Sequence, residues 1–192
     1  MGKYWVPILL VAGSWVVLAT TPKPSVAPKP VESKPSVAPK PAEKATPKEK
    51  ANSCETIIFG TDSMMYMDAA TGGKKVDKIV VPATCTTYTI DFRHSGSLPL
   101  AAMGHNWLLV DPAKFNDANN AAISAGVANH YLPKDRSLFI AGSTVLLGGG
   151  TGEPHAEKIP VDTSKLTKGK AYKYFCSFPG HFAMMSGELV LQ

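Results

Sequence analysis

The sequence predicts an all-β sandwich or barrel preceded by a low-complexity N-terminal region. Three observations lead there. From Ser53 onward, short segments rich in Val, Ile, Thr, Tyr and Phe alternate with clusters of Gly, Pro, Asp and Asn, the pattern of brief strands joined by turns. Hydrophobic residues reach 44% while charged ones are only 18%, with 16 Gly and 16 Pro, which fits a loop-rich β domain with a real core. Over residues 21–50 the composition changes to Pro and Lys without aromatic residues.

Residues 1–20 read as an export signal or membrane anchor. Lys3 supplies a positive start, the apolar run Trp5–Ala19 follows, and Val17-Leu18-Ala19 ends it with small residues suited to a signal peptidase. The run falls short of the roughly 20 residues that span a bilayer, so both cleavage and retention as a tether stay open. No cysteine follows it, which argues against a lipidated N-terminal Cys. Residues 21–52 read as a stalk. An eleven-residue repeat, KPSVAPKPVES at Lys23–Ser33, recurs as KPSVAPKPAEK at Lys34–Lys44. Such a segment cannot bury enough apolar surface to offset the entropy of ordering, and its prolines favour an extended spacer.

The formal net charge of +5 is carried by this region. Lys3 and the seven lysines between Lys23 and Lys50, against Glu32, Glu43 and Glu49, account for all of it, so residues 53–192 are formally neutral. A basic chain of this kind is poor ground for nucleic-acid binding by the folded part.

The β domain is placed at 53–192. Its expected strands are Thr56–Phe59, Lys78–Val81, Tyr88–Phe92, Trp107–Val110, Ser137–Leu147, Glu157–Val161, Ala171–Phe175 and Gly187–Leu191. The alanine-rich stretch Pro112–Ala128 interrupts them and reads as a short helical flap. The run Gly148-Gly-Gly150 lacks the Lys-Ser/Thr ending of a phosphate loop and reads as a hairpin turn.

Three cysteines in an exported chain suggest one disulfide and one leftover thiol. The decisive stretch is Cys176-Ser-Phe-Pro-Gly-His181-Phe-Ala-Met-Met185, between the last two strands. Its Pro-Gly turn lets the chain double back, so that thiolate, imidazole and thioether face one point. Met103-Gly104-His105-Asn106-Trp107 supplies a second imidazole at the entrance to another strand. Two His and a Cys in a plane with a distant Met suit a single copper ion that cycles between Cu(I) and Cu(II). The Cys is the soft donor, the imidazoles suit both states, and the Met is a weak axial ligand. The carbonyl of Gly104 can approach from the other axial side. Pro179 has no N–H, so donors to the sulfur must come from backbone amides such as those of Phe178 and Asn106. Met184 reads as a core residue, Trp107 likewise, and His130 and His155 as solvated.

These two segments resemble the copper-binding segments of azurins, within the cupredoxin family, and the resemblance extends from Ser53 to Gln192. It implies an eight-stranded Greek-key β-sandwich or barrel, with Asp111–Arg136 as the flap and Val161-Asp-Thr-Ser-Lys-Leu166 as a family turn. It implies a disulfide between Cys54 and Cys85. It implies metal ligands His105, Cys176 and His181, axial Met185 and the Gly104 carbonyl, with Asn106, Phe178 and Met103 around them. His94 matches a histidine behind the metal. Leu98, Pro99, Ala102, Met103, Phe178, Pro179 and Ala183 are placed around the outer edge of His181 as a docking patch.

The function implied is one-electron transfer between exported redox proteins such as cytochromes, reductases or oxidases, by a monomer in the periplasm or at the cell surface. A multicopper enzyme would carry a histidine beside the copper cysteine. Here the neighbours are Phe175 and Ser177, and the chain has only 5 His. Copper handling draws its one point of support from Met64-Met-Tyr-Met67, which also reads as strand and core packing.

Overall fold

The structure, a computed structural model, describes residues 53–192. The expected signal or anchor and the stalk lie outside the described residues. Ten strands form two mixed sheets: β1 (Glu55–Thr61), β2 (Met65–Asp68), β3 (Lys74–Lys75), β4 (Lys78–Val81), β5 (Thr87–Ser95), β6 (Leu108–Val110), β7 (Phe139–Gly142), β8 (Ala156–Asp162), β9 (Ala171–Phe175) and β10 (Ser186–Leu191). One sheet runs β3-β2-β1-β5-β8 and the other β4-β10-β9-β6-β7. The pairs β1/β5 and β4/β10 are parallel, and the remaining neighbours are antiparallel. Between strands lie α1 (Leu100–Met103) and the flap helix α2 (Phe115–Ala125). No helix among the described residues is long and apolar enough to cross a membrane.

Alternation decides which residues enter the core. In β4, Ile79 and Val81 are buried while Lys78 and Val80 face outward, as a period of two on a half-buried strand requires. Ile58, Tyr66, Ile90 and Phe92 from one sheet meet Trp107, Leu109, Tyr174 and Leu189 from the other in a single apolar cluster. Strand β6 is buried at every position. Its second face is covered by the flap: Leu108, Val110 and Phe175 pack against Ala118, Ala122 and Leu132. Small alanines let the helix lie close to the sheet.

All eight expected strands are present, and the structure adds β2 and β3. Both are short: β2 falls on the Met64-Met-Tyr-Met67 cluster, which also read as strand and core packing, and β3 consists of two exposed lysines without an apolar signature. The segment expected as one strand, Ser137–Leu147, is a strand only over Phe139–Gly142. Ser143 interrupts it, exchanging hydrogen bonds with the backbone of Trp107: its N–H donates to the Trp107 carbonyl (2.9 Å) and its hydroxyl accepts from the Trp107 N–H (3.0 Å). Leu147 rejoins the sheet through an isolated bridge to His105.

Cys54 and Cys85 form the disulfide, with Cα atoms 5.6 Å apart, tying the start of β1 to the turn before β5. The family turn at Val161–Leu166 packs on it, and the Thr163 hydroxyl donates to the Cys85 carbonyl at 2.6 Å. The crosslink closes a separation of 31 residues, for which chain entropy gives about 3–4 kcal/mol. Replacing both cysteines with alanine should lower the urea-unfolding free energy by about that amount while leaving the distant metal site intact. An unchanged midpoint would show that the bridge contributes nothing to stability.

Candidate metal centre

Two loops at one end of the sandwich bring the donors together. His105 lies between α1 and β6, and its backbone is fixed by reciprocal hydrogen bonds with Leu147 (2.9 and 2.8 Å). The backbone must pass close to its neighbours here. A Cβ on Gly104 would lie 2.6 Å from the Leu100 carbonyl oxygen, and one on Gly60 would lie 3.0 Å from the His105 ring. The second loop leaves β9 at Cys176 and returns at Met185. The Cys176 N–H donates to the Met185 carbonyl (3.0 Å), and the Met185 N–H to the His181 carbonyl (2.7 Å).

His105, Cys176 and His181 are all buried, and their donor atoms lie within 4.8 Å of one another. The Cys176 Sγ is 3.7 Å from Nδ1 of His181. That is about the separation of two donors held 2.0–2.3 Å from a shared ion at a trigonal angle. Nε2 of His105 bonds the Thr61 carbonyl at 2.9 Å. Since a carbonyl only accepts, Nε2 carries the proton and Nδ1 keeps its lone pair. That Nδ1 is buried without a hydrogen-bond partner, the condition a bound cation relieves. The donors fit a soft or borderline metal: one thiolate and two neutral imidazoles, with no carboxylate among them.

A hydrogen-bonded shell holds the two loops together. The Asn106 side chain donates to the Ser177 hydroxyl (2.8 Å) and accepts from the Ser177 N–H (2.9 Å). The Asn106 carbonyl accepts from Tyr66 at 2.6 Å. Backbone N–H groups of Asn106 and Phe178 donate to the Cys176 sulfur, the two amides expected for that role. Phe178 lies against the His181 ring, with centroids 4.5 Å apart. Met103 is half-buried, and its carbonyl lies 3.3 Å from Nε2 of His94. His94 sits behind the site, its side chain fully buried and its ring stacked on His105 at 5.1 Å.

Met185 is fully buried at the entrance to β10. Met184 is not a core residue: it is 50% exposed. The loop turns between the two methionines as it enters the strand, so neighbours in sequence face opposite ways. Trp107 is buried in the core. Thr61 was not singled out in the sequence, and Tyr66 and Ser177 were named there without their hydrogen-bonding roles at the site. The polar residues flanking the ligands, Asn106 and Ser177, were the available signal.

Burial sets the protonation states. It lowers His105 from 6.5 to about 3, with the neighbouring histidines adding to the effect. It lowers His181 from 6.5 to about 4, and it pushes the Cys176 thiol up from 9.0 to about 12. Without metal, the unfolded chain therefore binds histidine protons first as pH falls below 6.5, and stability drops with pH. Above pH 9.0 the unfolded chain loses the thiol proton first, and stability drops as pH rises. The metal-free protein should be most stable between those limits, as read from urea midpoints across pH. Cys176→Ala should lose the decline that begins at 9.0, ahead of tyrosine ionisation near 10.0. A variant that kept that decline would contradict the buried-thiol account.

The family of copper-binding proteins described as plastocyanin/azurin matches residues 74–192. Azurin-1 of Alcaligenes xylosoxydans xylosoxydans is 40% identical over 138 residues, 72% of this chain and 97% of that protein. Azurin iso-2 of Methylomonas sp. strain J is 39% identical over 140 residues, covering 73% and 98%. The solved azurin Az-iso2 of Methylomonas sp. strain J superposes with a TM-score of 0.62 at 37% identity, covering 73% of this chain and 98% of that one. With these relatives and the His-Cys-His cluster, the chain belongs to the plastocyanin/azurin family of copper-binding proteins and transfers electrons through a single blue-copper centre.

Proposed function

We propose that His105, Cys176 and His181 hold the copper, with the Met185 thioether and the Gly104 carbonyl as weak axial donors, and that the protein is a carrier with no substrate of its own. The observation that carries this is the convergence of three buried donors on one point, one of them the otherwise unpartnered Nδ1 of His105. The ion supplies a one-electron couple between Cu(I) and Cu(II). The chain's residues keep the donor set closed. Thr61 fixes the His105 tautomer, the amides of Asn106 and Phe178 stabilise the thiolate, and burial excludes water that would otherwise ligate and reorganise.

Around this centre we place an N-terminal signal or anchor at residues 1–20, a Pro/Lys stalk at 21–52 and the copper domain at 53–192. The apolar run Trp5–Ala19 and the following repeat support export to the periplasm or cell surface, with a tether if the run is retained. Partners would be redox proteins such as cytochromes, reductases or oxidases, meeting a monomer transiently. The docking patch is Leu98, Pro99, Ala102, Met103, Phe178, Pro179 and Ala183, to which the exposed Met184 adds. Leu98 is 40% exposed, and none of these side chains is charged. An uncharged apolar patch suits brief encounters that depend little on salt.

Copper added to the oxidised protein should produce an intense thiolate charge-transfer band in the red. Cys176→Ser should abolish it, and Met185→Leu should keep the colour while shifting the reduction potential. A serine variant with the full band would refute the ligand assignment. Met103→Lys would bring two desolvated like charges together in a symmetric encounter, so electron self-exchange by NMR line broadening should fall at least about tenfold with the colour retained. Exchange at the wild-type rate would place electron exit elsewhere.

A further inference from the structure

The two histidines of the site are held in different ways. His105 is oriented by the hydrogen bond from Nε2 to Thr61. His181 has no such backbone partner among the described residues; its Nδ1 contacts only the Cys176 sulfur, at 3.7 Å, on the side that faces the shared donor point. Its own backbone sits at the tip of the ligand loop, next to exposed Pro179, Gly180 and Ala183. Beyond that contact, ring packing orients it: Phe178 at 4.5 Å and 31° on one side, and the His105 ring at 5.0 Å and 46° on another. The orientation of His181 therefore depends on whatever fixes Phe178.

The group that fixes it comes from the flap. The Tyr131 ring meets Phe178 edge-on, with centroids 5.3 Å apart at 69°. The Tyr131 carbonyl accepts from the Ser177 hydroxyl at 2.8 Å, so the same residue grips two successive positions of the ligand loop. Its backbone is costly. His130 and Tyr131 both adopt left-handed conformations, at φ 56° and 53°, a region that non-glycine residues seldom occupy, still less in succession. Hydrogen bonds from their N–H groups to Val127 and Gly126 (2.9 and 3.0 Å) maintain the turn. The Tyr131 hydroxyl makes no hydrogen bond to the described residues, so the ring rather than the phenol does the holding. A second tether runs in parallel, from Phe115 on the flap helix to Phe182 at 6.1 Å, directly after His181.

We propose that Tyr131 is a positioning residue for the outer copper histidine: the helical flap, through the Tyr131–Phe178 contact and the Ser177 hydrogen bond, fixes the ring of His181. The proposal rests on the copper assignment above. It makes the flap part of the redox machinery.

The test uses the full-length protein with Tyr131→Ala, Tyr131→Leu and Tyr131→Phe. In the metal-free state, side-chain NMR of His181 and Phe178 reports ring conformers. After copper is added, EPR reports the copper hyperfine splitting. Tyr131→Ala should raise the population of a second ring conformer about fivefold, the equivalent of losing an aromatic pair of about 1 kcal/mol, and should alter the hyperfine splitting while the red band persists. Tyr131→Phe should restore both readouts, and Tyr131→Leu carries the test if the alanine variant does not fold. Unchanged ring signals and hyperfine splitting in the Ala and Leu variants, with only thermal stability reduced, would overturn the proposal. A wild-type protein that stayed colourless with copper would overturn the copper assignment and this inference with it. Loss of the effect in the variants alone leaves that assignment standing.

Discussion

The pairing of Asn106 with Ser177 is the contact on which the rest of the site depends. The copper donors come from two loops 71 positions apart, and this pair joins them residue by residue. Asn106 uses every polar group it has. Its amide N–H serves the Cys176 sulfur, its side chain both gives to and takes from Ser177, and its carbonyl accepts from the buried Tyr66 hydroxyl. Ser177 passes the chain on to the flap through Tyr131. Buried polar groups are stabilising only when all are matched. Removing either member of the pair strands its partner in the core and frees one ligand loop from the other.

That network explains how a thiol and two imidazoles can remain close together without solvent. Burial keeps the imidazoles neutral and the thiol protonated until metal arrives. The unpartnered lone pair on Nδ1 of His105 is the cost of keeping the site ready for its ion. A donor set already in place reorganises little when the metal changes charge, which favours fast one-electron exchange over chemistry on a substrate. The formally neutral domain fits the proposed docking patch, an uncharged apolar surface suited to transient encounters.

Much of this was legible in the sequence because it is local. The strands announce themselves through runs such as KIVV and AYKYF, and the ligands of the second loop lie within ten residues around a Pro-Gly turn. The flap was read from the alanine-rich stretch Pro112–Ala128, and the disulfide pairing followed from the family likeness. What escaped notice was non-local or weakly marked. Strand β3 consists of two exposed lysines, so its pairing is decided by the neighbouring β2 rather than by its own composition. The long run Ser137–Leu147 breaks at Ser143 because its hydroxyl and N–H answer Trp107, a partner 36 positions away. Met184 and Met185 are indistinguishable as letters, and only the turn into β10 sends one outward and one inward. Tyr131 gave no signal, because its left-handed backbone and its contact with Phe178 arise only in the folded chain.

The central claim is that one preformed set of donors serves both oxidation states. X-ray absorption at the copper edge tests it most directly, on the same sample oxidised and then reduced. The account predicts one sulfur and two nitrogens at roughly 2.0–2.3 Å in both states, with little change in any bond on reduction. A shell containing oxygen donors, or the loss of a nitrogen or the sulfur when the copper is reduced, would contradict it.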